Sequence, residues 1–422
     1  MADEEEKKEI HISIFKKLEK LHSAILPKQK IFRLSRDVLE VNKKAYEPYS
    51  VSIGPYHYGE EHLKKMEMHK VRFLRMLLDR NGIELGIYVD EVRGIAQEAR
   101  DYYSQLSLNI SIEEFSEMMV LDGCFIVELI HQLREKKLDP SVFKGGLVLR
   151  SILRDLALVE NQLPFCVLWK LLDITVKEKK GEYIKSLLQL FEYTMRGLRV
   201  NEIGGSVEGF NHLLHLLQSI WSPPFQKMDQ VSRLDDFKWS FMHSASELSE
   251  AGIQFVNKFE AGSLFDIEFR SGKGILEIPT MIIDDSTESF YHNIIAFEQY
   301  SKDGGYLTSY CRLMDCLINS DKDVELLRRC GIIVNYLGND QAVATMFNKL
   351  GVQVGIFGND FFYDSLFRSV NEYYDRTWNK WKATLRRDYC NSPWASISVV
   401  AAVFLLLLTL LQTIFTVFPS AP

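Results

Sequence analysis

The sequence has no long run of lysine or arginine, and its formal net charge is −7. Nucleic-acid binders rely on clustered cations that release counterions from phosphates, so this chain lacks the required electrostatic surface. The six cysteines are scattered and form no C-x-x-C pair, which removes the usual zinc and redox dithiol motifs. We therefore expect no nucleic-acid partner, and reduced thiols in a cytosolic domain.

Local catalytic signatures are also missing. No G-x-S-x-G elbow, H-E-x-x-H pair or G-x-x-x-x-G-K-[ST] loop occurs. Glu208, His212 and His215 share one face of a predicted helix, but no fourth ligand accompanies them, and an amphipathic helix with partly exposed imidazoles is the favoured interpretation. The sequence thus predicts no catalytic residue, no cofactor and no metal ligand.

The amino terminus has no secretory signal. The first thirty residues (1–30) are strongly charged and are interpreted as a helical segment, with none of the basic, apolar and small-residue order of an export signal. Asn109 and Ser111 form a formal glycosylation sequon, which would be used only in the secretory lumen. We interpret it as unused and expect the bulk of the chain to be cytosolic.

The carboxy terminus differs from the rest of the chain. Residues 395–418 form an uncharged segment of 24 residues, and as a helix it would be about 36 Å long, enough to cross a bilayer core of about 30 Å. Arg386 and Arg387 precede it on the expected cytosolic side, and Trp394 is predicted at the membrane interface. The sequence therefore predicts a single-pass, tail-anchored protein of the plasma membrane or an endomembrane, with the lipid bilayer as one partner.

The remaining chain, residues 31–390, reads as one mainly helical domain. Ser111 and Glu114 have capping-box spacing and open an apolar run. Around residues 264–279, apolar and polar residues alternate on both sides of a Gly-Lys-Gly turn, which indicates a β hairpin. The predicted fold class is mainly α, a helical globular domain with a small β hairpin, plus one C-terminal transmembrane helix.

Two groups of polar residues fall at apolar positions. Asp122 lies on the apolar stripe of its helix, where an ionised carboxylate needs hydrogen-bond donors. Glu160, Asn161 and Gln162 end an apolar run just before Pro164, where polar side chains can bind backbone groups freed at a helix break. We interpret both groups as parts of a buried structural network, in preference to catalysis.

The stretch "SVSIGPYHYG" sets a histidine between two tyrosines. Pro55 fixes its own φ and restricts Gly54, while the flanking rings can pack and His57 can make a local hydrogen bond. A rigid turn is the favoured interpretation. The alternative is an unrecognised enzyme, such as a hydrolase, that uses His57 or the acidic network around Asp122 and Glu160.

Several phrases together resemble the plant domain-of-unknown-function 247 family. The similarity covers about residues 30–418 and rests on "SIGPYHYG", "MMVLDGCFIVEL", "DLALVENQLPF" and "TSYCRLMDCLINSDKDVELLRRCGIIVNYLGND". It implies a plant-specific protein, associated with membranes through its carboxy-terminal helix, that has no established catalytic activity; some grass relatives are linked to self-incompatibility. The matching residues are treated as determinants of the fold: Gly54, Pro55, His57, Asp122, Glu160, Asn161, Gln162 and Pro164.

Together these features favour a membrane-anchored plant protein that acts in protein interaction, recognition or signalling through an unknown protein partner. A large anchored domain without cofactor motifs is the observation behind this hypothesis. An unrecognised enzyme and a structural membrane scaffold are the alternatives.

Overall fold

The structure, a computed structural model, describes residues 11–15, 30–103, 110–143, 146–176, 179–194, 209–221, 241–301, 305–351, 361–376 and 393–417. Within these residues the chain is mainly helical, as predicted, and the strands are short.

The helices are named here in chain order. They are α1 (Arg36–Val41), α2 (Lys43–Tyr46), α3 (Lys64–Asn81), α4 (Leu85–Gly94), α5 (Ala96–Arg100), α6 (Ile112–Arg134), α7 (Gly146–Leu156), α8 (Phe165–Val176), α9 (Lys180–Thr194), α10 (Leu213–Trp221), α11 (Ala245–Glu250), α12 (Thr287–Ser301), α13 (Tyr306–Leu317), α14 (Asp321–Arg329), α15 (Asp340–Leu350), α16 (Asp364–Asp375) and α17 (Pro393–Val417). A short 3₁₀ turn, Glu61–Leu63, leads into α3.

The strands form two small sheets. They are β1 (Gln254–Asn257), β2 (Glu268–Arg270), β3 (Ile275–Ile278), β4 (Met281–Ile283) and β5 (Ile333–Asn335). The first sheet has the order β1-β3-β2, in which β1 is parallel and β2 antiparallel to β3, while β4 and β5 form a parallel pair. The predicted hairpin is present as β2 and β3, whose register places Phe269 opposite Leu276.

The chain folds as two compact units. Unit 1 comprises Met1–Pro223 and Ser286–Gly304, and unit 2 comprises Pro224–Asp285 and Gly305–Pro422. All five strands therefore belong to unit 2, whereas α12 belongs to unit 1. Asn293 of α12 shows how this helix is held in unit 1, because its amide donates to the carbonyl of Ala45 at 2.9 Å.

Helix α6 forms the centre of unit 1. Its N-cap hydroxyl, Ser111 Oγ, accepts the N–H of Glu114 at 3.1 Å, so the helix begins where the capping pattern predicts. The helix packs against α3, α4, α8 and α9. Gly123 allows α8 to approach closely, since a Cβ at this position would overlap the side chain of Leu171. Phe125 packs on Phe73 of α3 with ring centroids 5.0 Å apart, and both rings are fully buried.

The prediction of a carboxy-terminal transmembrane helix is wrong. Helix α17 covers most of residues 395–418, but across the described residues no helix combines the length and the apolarity that a membrane crossing requires. A lack of charge along the sequence established that this segment is apolar; a span also requires one helix that carries this apolarity over the full thickness of the bilayer.

Several residues singled out from the sequence fall outside the part of the chain that the structure describes. Asn109, Glu208, Arg386 and Arg387 lie outside the described residues. Trp394 lies in α17, but its side chain is outside the description.

Candidate functional site

Side chains from elsewhere in unit 1 accept the N–H groups of five residues in the 49–54 segment, which are Tyr49, Ser50, Val51, Ile53 and Gly54. The Asp155 carboxylate accepts three of them, from Tyr49 at 3.0 Å, Ser50 at 2.6 Å and Val51 at 3.0 Å. This carboxylate is completely buried at the end of α7. Because its oxygens bind successive backbone amides, Asp155 replaces the partners that a strand or helix would otherwise give this segment.

Arg154 completes the Asp155 end of the site. Its Nη1 donates to Asp155 Oδ1 at 2.8 Å and to the Glu47 carbonyl at 2.9 Å, while Nη2 donates to the Lys44 carbonyl at 2.6 Å. The guanidinium also lies 3.7 Å from the ring centroid of Tyr49, a cation–π contact. Burial raises the pKa of Asp155, and the hydrogen bonds from Tyr49 and Ser50 and the charge of Arg154 oppose that rise.

Asn161 binds the same segment through both ends of its amide. Its Oδ1 accepts the N–H of Ile53 at 2.6 Å, and its Nδ2 donates to the carbonyls of Val51 at 3.0 Å and Asp155 at 2.9 Å. The side chain is 1% exposed. An amide is required here because only an amide side chain offers this acceptor and two donors together.

Gln162 likewise uses both the oxygen and the nitrogen of its amide to bind backbone groups, here in the loop that follows α7 and at Leu214. Its Nε2 donates to the carbonyls of Leu156 at 2.8 Å and Leu158 at 2.7 Å, and its Oε1 accepts the N–H of Leu214 at 3.0 Å. Pro164 then precedes the first residue of α8, where its missing N–H costs nothing. Asn161, Gln162 and Pro164 thus hold the turn between α7 and α8.

Asp122 of α6 binds Gly54 and Lys70. Its Oδ2 accepts the N–H of Gly54 at 2.7 Å, and its Oδ1 lies 2.6 Å from Lys70 Nζ, which also lies 2.7 Å from Glu67 Oε1. Burial lowers the pKa of Lys70, but the carboxylates of Asp122 and Glu67 outweigh burial, so its pKa is raised. Burial raises the pKa of Asp122 against the opposing effects of Lys70 and Gly54.

Gly54 has a backbone conformation that suits glycine. Its φ is +71°, and a Cβ would lie 2.7 Å from the Gln162 carbonyl oxygen and 2.8 Å from Tyr103 Oη. The Tyr103 hydroxyl donates to that same carbonyl at 2.8 Å. Pro55 follows directly and is partly exposed. Glycine is therefore required here both by the sign of φ and by the space available.

His57 and Glu160 lie at the outer end of this network. His57 Nδ1 is 2.8 Å from Glu60 Oε1, and His57 Nε2 is 3.9 Å from Glu160 Oε2. The other oxygen of Glu160 accepts the N–H of Leu34 at 2.5 Å. Burial raises the pKa of Glu160, although the Leu34 N–H and His57 oppose this.

The clamp, defined as Asp122, Asp155, Asn161 and Gln162, therefore has its polar groups bound to the backbone of unit 1 or to Lys70 and Arg154.

Ser52 and Lys70 superficially resemble a catalytic serine–lysine pair, because Ser52 Oγ and Lys70 Nζ lie 3.4 Å apart. However, Ser52 Oγ donates to Glu67 Oε1 at 2.9 Å and is buried, and Lys70 is held as a cation. A cationic lysine cannot accept the proton of a serine nucleophile.

His212 and His215, the two histidines considered as metal ligands, lie at the amino-terminal end of α10. In the part of the chain that the structure describes, no group of three or more His, Cys, Asp and Glu could hold a metal ion. His212 Nε2 lies 3.0 Å from the Lys30 carbonyl, and burial together with His215 lowers the pKa of His212 to about 3. The ring is thus a neutral hydrogen-bond donor in the core of unit 1.

Sequence reasoning did not single out Lys70, Asp155, Arg154 or Tyr103, although each binds the 49–54 segment or its neighbours. Lys70 belongs to a basic helical pattern that looks solvent-exposed, yet its side chain is 0% exposed. The missed signal was its position: Lys70 follows Met66 and precedes Phe73 and Leu77, which places it on the buried stripe of α3.

The geometry defines a mainly helical protein in which buried carboxylate and amide side chains fix one loop, residues 49–54, that extends to the surface. Over residues 31–408 the sequence matches DUF247, described as "Plant protein of unknown function", and the chain belongs to this family. It is 32% identical over 413 residues to UPF0481 protein At3g47200 of Arabidopsis thaliana, covering 91% of this chain and 85% of that protein. It is also 23% identical over 483 residues to Putative UPF0481 protein At3g02645 of the same plant, covering 92% and 90% of the two chains. No solved structure matches the chain.

Proposed function

We propose that this protein is a protein-recognition module whose binding surface includes Tyr49, Tyr58 and His62. The observation that carries the proposal is the clamp, because it fixes the backbone of residues 49–54, which carries Tyr49 and leads directly into the segment that carries Tyr58 and His62. Binding residues are commonly found on loops held by a rigid scaffold, since a fixed loop loses little conformational entropy on binding.

The three side chains have the chemistry of interface anchors. Tyr49 is 53% exposed and Tyr58 is 45% exposed, and the His62 side chain is 54% exposed. His62 Nε2 lies 3.0 Å from the carbonyl of Pro48, which brings His62 next to Tyr49. Tyrosine is enriched in interfaces because its large ring orders at small entropic cost and its hydroxyl can hydrogen-bond.

The charges near Tyr58 suggest the chemistry of the partner. Burial and the nearby carboxylates of Glu67, Glu114 and Glu117 raise the pKa of the Tyr58 hydroxyl. A cationic side chain would gain from these carboxylates and from the face of the tyrosine ring. We therefore propose that the partner is a protein that presents a lysine- or arginine-containing segment.

The proposal includes association with a membrane surface through α17, without a transmembrane span. This helix exposes apolar side chains at consecutive positions, including Leu406 at 70% and Leu405 at 63%. Flotation of the full-length protein with lipid vesicles tests this part. A chain that ends at residue 392 should fail to float if α17 provides the contact, whereas equal flotation of both chains would contradict it.

The recognition surface is tested with affinity capture from plant extracts, followed by affinity measurement for each captured protein. We expect Tyr58→Ala and His62→Ala each to weaken binding of a specific partner by about tenfold or more, the effect expected of an interface anchor. Phe259→Ala is the matched control, because Phe259 is 81% exposed in unit 2.

The pattern across variants decides the outcome. Weaker partner binding by both Tyr58→Ala and His62→Ala, together with full binding by Phe259→Ala, would support the proposed recognition surface. A partner that binds all variants equally would place recognition elsewhere, and the absence of any saturable partner would contradict the recognition function itself. Raising the salt concentration should weaken the complex if the partner is cationic.

A further inference from the structure

The imidazole of His57 is placed between two carboxylates. Its Nδ1 lies 2.8 Å from Glu60 Oε1 and its Nε2 lies 3.9 Å from Glu160 Oε2. The His57 side chain is 9% exposed and that of Glu160 is 6% exposed. Nε2 is buried and has no hydrogen-bond partner, so this ring nitrogen directly faces a carboxylate oxygen that it does not yet bind.

The number of protons in this arrangement follows from hydrogen-bond rules. Glu60 is 38% exposed at its side chain, and its carboxylate is an acceptor, so His57 Nδ1 carries the proton of that bond. In a neutral ring, Nε2 then bears only a lone pair. An ionised Glu160 would oppose this lone pair with a second acceptor, and two buried acceptors cannot satisfy each other.

We propose that His57 and Glu160 hold one proton between them as a latch, and that its loss releases the turn of residues 57–60 from Glu160. With the proton present, the two groups make a hydrogen bond or an ion pair across the gap. Without it, two acceptors face each other in a buried space. The turn includes Tyr58, so the latch would control a residue of the proposed recognition surface, although the latch itself does not depend on a partner.

The other charges near the ring are few among the described residues. His62 Nδ1 lies 3.7 Å from Glu60 Oε2, and Arg33 acts on Glu160 from the segment before α1 while its guanidinium lies 5.4 Å from the Tyr56 ring. Burial raises the pKa of Glu160. A group with a raised pKa holds its proton at low pH and loses it as pH rises, so the latch is closed in acid and opens as pH rises.

The contacts of the two carboxylate oxygens of Glu160 should respond differently to a rise in pH. Its Oε1 accepts the N–H of Leu34 at 2.5 Å, and a carboxylate accepts more strongly when it is ionised. The turn, by contrast, is closed by the N–H of Glu60 donating to the His57 carbonyl at 3.4 Å. Opening should therefore speed amide exchange in the turn and leave the Leu34 amide protected.

Hydrogen exchange of the full-length protein tests the latch between mildly acidic and mildly alkaline pH, a range that covers the loss of a proton from a carboxyl group whose pKa is raised by burial. After correction for intrinsic rates, exchange in the turn should be about tenfold faster at the higher pH, the effect of one unsatisfied buried polar group. Glu160→Gln should abolish this difference, because its amide does not titrate: the NH₂ group can donate to Nε2 of the neutral ring while the side-chain carbonyl still accepts from Leu34. His62→Gln is the matched control and should retain the difference.

Each result has a definite meaning. Equal protection of the turn at both pH values in the natural protein would overturn the latch, as would a pH effect that persists in Glu160→Gln. If the Leu34 amide and the amides of the turn lost their protection from exchange together, the cause would be local unfolding, and this result would also overturn the latch. If Glu160→Gln does not fold, the contrast between Leu34 and the turn in the natural protein remains decisive.

Discussion

Lys70 Nζ lies 2.6 Å from Asp122 Oδ1, and the two side chains are 0% and 1% exposed. The pair joins α3 to α6 inside unit 1, and the same carboxylate holds the N–H of Gly54 at 2.7 Å. Removing two ions from water is costly, so such a pair is maintained only when further hydrogen bonds complete it. Here the second carboxylate, Glu67, and the backbone of Gly54 provide them.

Breaking this pair on one side should be severe. Lys70→Met removes the cation and leaves Asp122 buried without it, and we expect a loss of about 3–5 kcal/mol in the free energy of unfolding. The change in the free energy of unfolding is measured by denaturant titration of the full-length protein, with hydrogen exchange of the amides in unit 1 as the readout. Lys64→Met is the control, since Lys64 pairs with Glu61 at an exposed site and should cost at most about 1 kcal/mol. Equal effects of the two variants would contradict the structural role of the buried pair.

Gly54 offers a test in which strain and crowding are separated. Gly54→Ala must accept a φ of +71° and place a Cβ against the Gln162 carbonyl and the Tyr103 hydroxyl, whereas Gly59→Ala has a φ of +83° and nothing within 4 Å of the new Cβ. Gly59→Ala should cost about 1–2 kcal/mol from backbone strain alone. Gly54→Ala should cost at least about 1 kcal/mol more, as seen in thermal or denaturant unfolding; a cost no greater than that of Gly59→Ala would show that the contact is relieved.

The hydrogen bonds of Asp323 in unit 2 lead us to expect that the free energy of unfolding depends on pH. Its Oδ1 accepts the N–H of Ser246 at 2.9 Å, and its Oδ2 accepts the N–H of Ser320 at 2.9 Å. Burial raises the pKa of Asp323, but the hydrogen bonds from Ser246 and Ser320 outweigh it and leave the pKa lowered. A lowered folded-state pKa contributes stability that is present above the unfolded-state pKa and is lost as pH falls through the folded-state value.

Asp323→Asn should therefore cost about 1–2 kcal/mol at neutral pH, a typical value for a lost helix cap. The difference from the natural protein should shrink as the solution is acidified through the pKa of Asp323. Asp321→Asn, in the first turn of the same helix, provides the control. A destabilisation of Asp323→Asn that stays constant from neutral to acid pH would show that the carboxylate charge is not what stabilises the cap.

Local patterns predicted the elements whose signals are short-range. The capping spacing at Ser111 located the start of α6, and alternation with a glycine turn located β2 and β3. Strands β1, β4 and β5 escaped prediction because each has only three or four residues and pairs with a partner in parallel. A parallel pair needs a long crossover, so neither strand marks its partner in the neighbouring sequence.

The buried polar site was predictable on one side only. Asp122 is conspicuous because a carboxylate interrupts an apolar stripe, but its cation is 52 positions earlier in the chain, in a helix rich in exposed charges. Asp155 was missed because the backbone amides that require it belong to residues 49–51. Backbone donors have no sequence signature, so the need for an acceptor appears only when the fold brings the two segments together.

Asn161 allows the sharpest test of the clamp. Asn161→Asp keeps the side-chain shape and the acceptor for Ile53, but it turns the donor to the Val51 and Asp155 carbonyls into an acceptor. We expect a loss of about 2–4 kcal/mol at neutral pH, since a buried charge then faces two carbonyl oxygens. Asn348→Asp, at an exposed position of α15, should change the stability by about 0.5 kcal/mol or less.

Acid should partly rescue Asn161→Asp. The introduced carboxyl has its pKa raised by burial and by the facing carbonyls, so the folded state takes up a proton more readily than the unfolded state. The protonated group can donate one of the two lost hydrogen bonds, and the deficit relative to the natural protein should narrow as pH falls. Unfolding measured from neutral to mildly acidic pH checks this, and a deficit that is constant or grows in acid would mean that the amide of Asn161 does not act through its two donated bonds.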